Sequence, residues 1–303
     1  MLKLLKSLFT RLFHKIFKTF KKRKDLEYFC TLSSKLKSPS LKPTTIHTRH
    51  FLHKTLFKNF PKIPITQISK IHIYEFINTL ISQKLKISTI KQLLSYANDG
   101  FNLAMEFKTV SQNPIKSIKS KLKSTPNKLN KIIKLNQIKK LLNHAKGELK
   151  MFLYFAFFTG ARASEILAIT KKDINFKKNH ILISKNATRF GLTSPKNNKP
   201  RMIYLPPLLK TEILNSEFSH FSKNYFSIYY QFSKLKKSLR LKIGSIHSAR
   251  HTYASMCLQK NINLPLVAEL LGHNDISMIS KVYSHNIYSQ KEQIKLRKIL
   301  HFK

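Results

Sequence analysis

The chain has 303 residues, with 57 Lys and Arg against 13 Asp and Glu, a formal net charge of +44 and 42% hydrophobic residues. That length holds one or two domains with real cores, and the charge attracts polyanions and makes binding salt-dependent. Two cysteines, Cys30 and Cys257, give no disulfide framework and fit a reducing cytoplasm; no run of about 18 apolar residues offers a membrane span, and no carboxylate cluster offers a metal site.

Residues 1–30 open the chain as a basic amphipathic segment. Leu5, Leu8, Phe9, Leu12, Phe13, Ile16, Phe17 and Phe20 recur at helical spacing and draw one apolar stripe, while Lys3, Lys6, Arg11, Lys15 and Lys18 fill the rest. The basic residues interrupt any secretory core, and no small-residue cleavage site follows. Three readings stand: packing on its own domain, docking on a partner subunit or DNA, or a membrane-surface or targeting helix, with membrane contact the least favoured.

Residues 43–118 predict a helical domain. Apolar periodicity runs through 46–57, 71–81 and 90–105, with breaks near Pro61, Pro64 and Ile87-Ser88. Ser88 and Thr89 suit a helix start, and Asn113-Pro114 stops the last element. Residues 119–131 lie in a polar, basic stretch that begins at Ser117 and carries Pro126; they read as a linker able to track a DNA backbone.

Residues 132–303 form the second domain with a C-terminal tail. A helix over 135–145 precedes one over 151–158 that is too apolar for a surface. Thr159-Gly160 turns the chain so that Arg162 enters the next helix at its start. Residues 181–184 and 201–205 read as strands, separated by the turn-rich stretch 191–199 and ended by Pro206-Pro207. Residues 287–303 return to a basic helical pattern through Ile294, Leu296, Ile299 and Leu300. The fold class is therefore mainly α with a small β-hairpin or sheet.

Four short pieces of that second domain carry chemistry: Arg162 in FTGARASEIL, His247 and Arg250 in HSARHTYAS, His273 in LLGH, and Tyr283 in KVYSH. A phosphodiester is negative and gains charge on attack, so its transfer needs fixed cations. Arg grips two phosphate oxygens and stays protonated. Histidines move protons near neutral pH, and a tyrosine can attack phosphorus to form a covalent intermediate. Gly272 allows the tight turn that presents His273. Each assignment has a plainer rival. Arg162 could pair with Glu165 on one helix face, His247 could cap a helix starting at Ser248, His251 reads as structural, and Thr252, Tyr253 and Leu258 as core.

These pieces, in this order, resemble the tyrosine recombinase (phage integrase) family, which includes Xer-type recombinases. TGARASEIL is similar to the box around the family's first catalytic arginine, HSARHTYAS to its His-x-x-Arg box, and LLGHNDISMISKVYSH to its last. The resemblance implies a helical core-binding domain followed by a tyrosine-recombinase catalytic domain. It also implies that Arg162 and Arg250 clamp the scissile phosphate, that His247 and His273 hydrogen-bond it and manage protons, and that Tyr283 is the nucleophile. Tyr283 lies ten residues after His273, one more than in many members; Tyr288, the nearby alternative, lacks the following Ser-His. The family's hairpin lysine, general acid for the departing 5′ hydroxyl, corresponds to Lys196 in SPKNNKPRMIYLP. Pro195 and Asn197 stand where glycines are usual, and Lys199 is a second candidate.

The implied activity is site-specific cutting and rejoining of DNA through a 3′-phosphotyrosyl intermediate, in the cytoplasm and without a cofactor or metal. A catalytically silent DNA-binding relative and a topoisomerase-like nickase are the alternatives. The implied partner is double-stranded DNA, bound by a homotetramer on two sites, with a partner recombinase or accessory protein as a further candidate. The tail packs either into a neighbouring subunit or in cis.

Overall fold

A computed structural model describes residues 25–122, 132–195 and 199–272. The chain divides into two units, 1–126 and 127–303, and the described elements are mainly helical with two small antiparallel sheets.

Among the described residues, the first unit holds five α-helices. Helix α1 (Leu26–Lys37) starts where Asp25 accepts the backbone N–H of Tyr28 at 2.8 Å, an N-cap that satisfies one of the helix's free donors. It buries Leu26, Phe29, Cys30 and Leu32 at helical spacing and packs along α4 (Ile87–Glu106), which buries Ile90, Leu93, Leu94, Ala97 and Phe101. Between them in sequence come α2 (Pro43–Asn59), which presents Leu52 and Leu56, and α3 (Lys70–Ser82), which presents Ile73, Phe76, Ile77 and Leu80 to the same core. Helix α5 (Ile115–Lys121) adds Ile115 and Ile118. The sequence pattern places the start of the helical domain at residue 43 and its linker after 118; the observed core also draws on α1 before the one and α5 across the other.

The second unit is built around α7 (Gly147–Thr159). Its Leu149, Met151, Phe152, Leu153, Phe155, Ala156 and Phe157 are all buried, as an unbroken apolar run requires. Around it pack α6 (Leu135–His144), α9 (Pro207–Leu214), α10 (Tyr225–Ser238) and α11 (Ser248–Gln259). Helix α12 (Leu264–Leu271) lies against α11, capped by Asn263, which accepts the N–H of Leu266 at 3.0 Å.

On another side, β1 (Ile174–Asn175), β2 (His180–Ile183) and β5 (Arg201–Tyr204) form an antiparallel sheet, with Ile181 opposite Ile203 and both buried. These two longer strands fall where alternation predicts them. The segment between them does more than turn: β3 (Asn186–Thr188) and β4 (Gly191–Thr193) make a separate two-stranded ribbon.

Candidate active site

Helix α7 ends on Gly160, whose φ of +64° is the left-handed conformation that closes a helix. Two residues on, Arg162 caps α8 (Ala163–Ile166), so the turn delivers its side chain at the head of a short helix. Glu165 sits at that helix's third position and accepts from Arg162 twice, from the backbone N–H at 2.8 Å and from Nη1 at 2.9 Å. The pairing foreseen as a rival to a phosphate role is thus present. It does not occupy the whole guanidinium, whose side chain remains 22% exposed.

Glu165 itself is fully enclosed, with 0% of its side chain exposed. Its other partner is Arg201 on β5, which donates from Nη1 and Nη2 to the two carboxylate oxygens at 3.1 and 2.8 Å. Burial alone would raise this carboxyl's pKa. The hydrogen bonds and charge of Arg201, then those of Arg162, outweigh that and hold it at about 2.

Arg250, two residues into α11, is only 5% exposed. Its Nη1 donates to the carbonyl of Gly160 at 2.9 Å and its Nη2 to that of Leu271 at 2.7 Å. The end of α12 collects all three arginines on consecutive carbonyls. Arg201 Nε donates to Leu270 at 2.9 Å, Arg250 to Leu271, and Arg162 Nη2 to Gly272 at 2.9 Å. The last carbonyls of a helix lack intrahelical donors and carry the negative end of its dipole, so they are natural seats for guanidinium groups. Neutral carbonyls orient these cations without cancelling their charge. Gly272, the left-handed cap of α12 at φ +67°, packs so close that a Cβ there would stand 2.9 Å from Arg201 Nη1.

His247 occupies the N-cap position of α11 without a side-chain capping hydrogen bond, and it faces solvent. Protein packed around it, then the charges of Arg250 and Arg162, lower its pKa and favour the neutral ring. One turn on, His251 meets it edge to face with centroids 5.0 Å apart. Burial, then His247 and Arg250, push His251 down to about 4. Thr252 is buried, accepts the N–H of Ile133 at 3.0 Å and donates to the carbonyl of Ser248, while Tyr253 and Leu258 are half-buried beside it.

Of the residues singled out by sequence, Arg162, His247 and Arg250 come together at the ends of α7 and α12. Lys196, His273 and Tyr283 lie outside the described residues, as do the amphipathic stripe of residues 1–24 and the C-terminal tail. Lys199 is exposed just before β5. Arg201 carries no role in the sequence reading, although it stands at the arginine that ends the hairpin motif resembled by SPKNNKPRMIYLP. Among the described residues, no group of three or more His, Cys, Asp or Glu is placed to hold a metal ion, and no helix is long and apolar enough to cross a membrane. The site brings together two anchored guanidiniums and an imidazole whose surroundings favour its neutral form.

The chain matches the model of the phage integrase family over residues 131–290. A tyrosine recombinase XerC-like protein of Caldanaerobacter subterraneus subsp. tengcongensis is 26% identical, over 83% of this chain and 76% of its own. Among solved structures, the integrase of transposon Tn1549 in complex with a circular intermediate DNA superposes with a TM-score of 0.75 at 18% identity, over 90% of this chain and 99% of that one. A lambda integrase dimer bound to a COC′ core site gives 0.67 at 18% identity, over 84% and 76%. At these identities the two structures share the fold.

Proposed function

The chain belongs to the phage integrase family, and from that premise we propose how its residues cut and rejoin DNA. It is a tyrosine-type site-specific DNA recombinase. Tyr283 attacks a phosphodiester, its phenolic oxygen bonds to phosphorus, and the bond to the 5′ oxygen breaks. The products are a 3′-phosphotyrosyl link and a free 5′ hydroxyl. Rejoining reverses the step, with the 5′ hydroxyl of a partner strand as nucleophile. One phosphodiester replaces another, so no external energy source is required.

Arg162 and Arg250 hold the non-bridging oxygens, and the added charge of the transition state strengthens that hold. The observation that carries this reading is their common anchorage. Two guanidiniums from distant parts of the chain are fixed on the adjacent carbonyls of Gly272 and Leu271, so they meet the phosphate already oriented. His247, whose surroundings favour the neutral ring, accepts a proton or a hydrogen bond at the phosphate, and His273 shares that work from the residue after Gly272. Lys196 protonates the leaving 5′ oxygen, with Lys199 as the alternative donor. The helical unit, with α1 and α5 included, serves as the core-binding domain, the stretch after α5 as the linker and 132–303 as the catalytic domain. Exchange between two duplexes requires four cleavages, which suits four copies of this chain on two sites, acting in the cytoplasm; the C-terminal tail would join neighbouring subunits.

The test is a covalent trap on nicked suicide duplexes drawn from DNA flanking the gene and from the replication-terminus region. Wild type should give a protein–DNA band on denaturing gels, and Tyr283→Phe should bind the same duplex and give none. An adduct with Tyr283→Phe removes Tyr283 as nucleophile. Binding without any wild-type adduct favours a silent DNA-binding relative, and supercoil relaxation without strand exchange favours a nickase.

A further inference from the structure

Glu165 places a buried negative charge beside an arginine assigned to phosphate. A carboxylate facing Arg162 alone would form a neutral pair with it, and the guanidinium would bring little net charge to an incoming phosphate. Arg201 alters that balance. Its fork meets both oxygens of Glu165, whereas the Arg162 guanidinium meets one, and two-point contact is the stronger form of this pair. The two arginines also differ in orientation: the Arg201 side chain is 10% exposed and that of Arg162 is 22% exposed. The inner arginine takes the carboxylate and the outer one keeps a face to solvent.

We propose that Arg201 is a positioning residue for DNA cleavage, which neutralises Glu165 so that this carboxylate can orient Arg162 while the charge of Arg162 remains available to the scissile phosphate. The inference rests on the reading of Arg162 as a phosphate ligand. Arg162, Glu165 and Arg201 together keep one net positive charge, and it sits on the exposed member. The bond from Arg201 Nε to Leu270 holds the same device against the end of α12, next to the carbonyls that seat Arg250 and Arg162.

The experiment is a cycle of four full-length chains: wild type, Arg201→Met, Glu165→Gln, and the double variant. The probe is one nicked suicide duplex already shown to trap the wild type, and both adduct rate and duplex affinity are measured. Arg201→Met should slow adduct formation about a hundredfold while affinity changes by no more than about threefold. In the Glu165→Gln background the same Arg201→Met change should move the rate by less than about threefold, because no carboxylate is left to neutralise. Arg201→Lys, which keeps the charge, should restore part of the rate. Arg201→Met alone should also regain rate as pH falls and Glu165 takes up a proton, a recovery the wild type lacks.

An equal loss from Arg201→Met in both backgrounds overturns the proposal and makes Arg201 a strut of the fold. If Arg201→Met does not melt cooperatively, the pair in the Glu165→Gln background decides by the same criterion. Arg162→Ala separates the two levels of the argument. Adduct formation at the wild-type rate in Arg162→Ala defeats the phosphate reading itself. Its loss there, with Arg201→Met unimpaired, defeats only the positioning role.

Discussion

Arg250 Nη1 donates to the carbonyl of Gly160 at 2.9 Å, tying together residues 90 positions apart. The bond needs Gly160 in its left-handed conformation, since another backbone angle would aim the carbonyl elsewhere. There is also no room for a side chain: a Cβ at this position would collide with Tyr253 and come within 2.9 Å of Leu271. Gly160→Ala should therefore destabilise the protein by about 1–3 kcal/mol. It should also slow adduct formation more than duplex binding, because it displaces the carbonyl that seats Arg250, the arginine proposed to hold the phosphate. Urea melts and suicide-duplex rates measure the two effects; a variant with wild-type stability and rate would show that the carbonyl is not needed.

Acid stability should report the state of Glu165. Its carboxyl is held at about 2 in the folded protein, against an ordinary value of 4.5. A depressed carboxyl contributes stability that is complete above the unfolded value, about 4.3, and is lost as pH falls through the folded one. The shift corresponds to something on the order of 3 kcal/mol. Between pH 5 and 2, roughly the span of those two values, wild type should lose more stability than Glu165→Gln, as read from urea midpoints. Parallel losses would mean that this carboxylate is not paired as described.

The reach of the sequence differs from element to element for physical reasons. Helix α7 is legible because burial of most of its circumference writes an apolar run from Met151 to Phe158. Arg162, His247 and Arg250 are legible because each sits in a short contiguous piece with distinctive neighbours. Helix α1 is hard to separate from the basic amphipathic stretch before it, and α5 buries only Ile115 and Ile118 among lysines, which is too little for a period. Strands β3 and β4 have three residues each, too short for alternation to register. Arg201 meets Glu165 across 36 residues, a pairing no local spacing encodes. The carbonyls of Leu270, Leu271 and Gly272 carry no side-chain identity, so their part in seating three arginines becomes visible only in three dimensions.

His251 should impose a second pH dependence, at milder acidity and of the same sign. Burial, then His247 and Arg250, keep it neutral down to about 4, whereas in the unfolded chain it binds a proton below about 6.5. Between these values the unfolded state holds the extra proton, so stability falls as pH drops from 6.5 toward 4. His251→Asn should flatten that part of the profile while leaving pH 8 stability closer to wild type. Denaturant midpoints for both chains across this range test it; an unchanged slope would place the neutral-to-acid sensitivity elsewhere.

In the first unit, the approach of α1 to α4 is set by one missing side chain. A Cβ on Gly100 would stand 2.5 Å from Cys30 Sγ, 3.1 Å from the Cys30 nitrogen and 3.2 Å from Leu26 Cδ1. The nearest of these is a side-chain atom, but Cys30 is fully buried and its thiol already reaches the carbonyl of Tyr96 at 3.7 Å, so it has nowhere to retreat. Gly100→Ala should push the helices apart and destabilise the unit by about 1–3 kcal/mol, against the gain of under about 1 kcal/mol that alanine normally brings to a helix interior. Cys30→Ala removes the obstructing sulfur. The double variant Gly100→Ala/Cys30→Ala should recover part of the loss, and the sum of the single effects should exceed the measured double effect. Since the remaining contacts are with Cys30 backbone and Leu26, recovery should be incomplete. Strict additivity of the two substitutions would mean that Gly100 and Cys30 do not share the space between these helices.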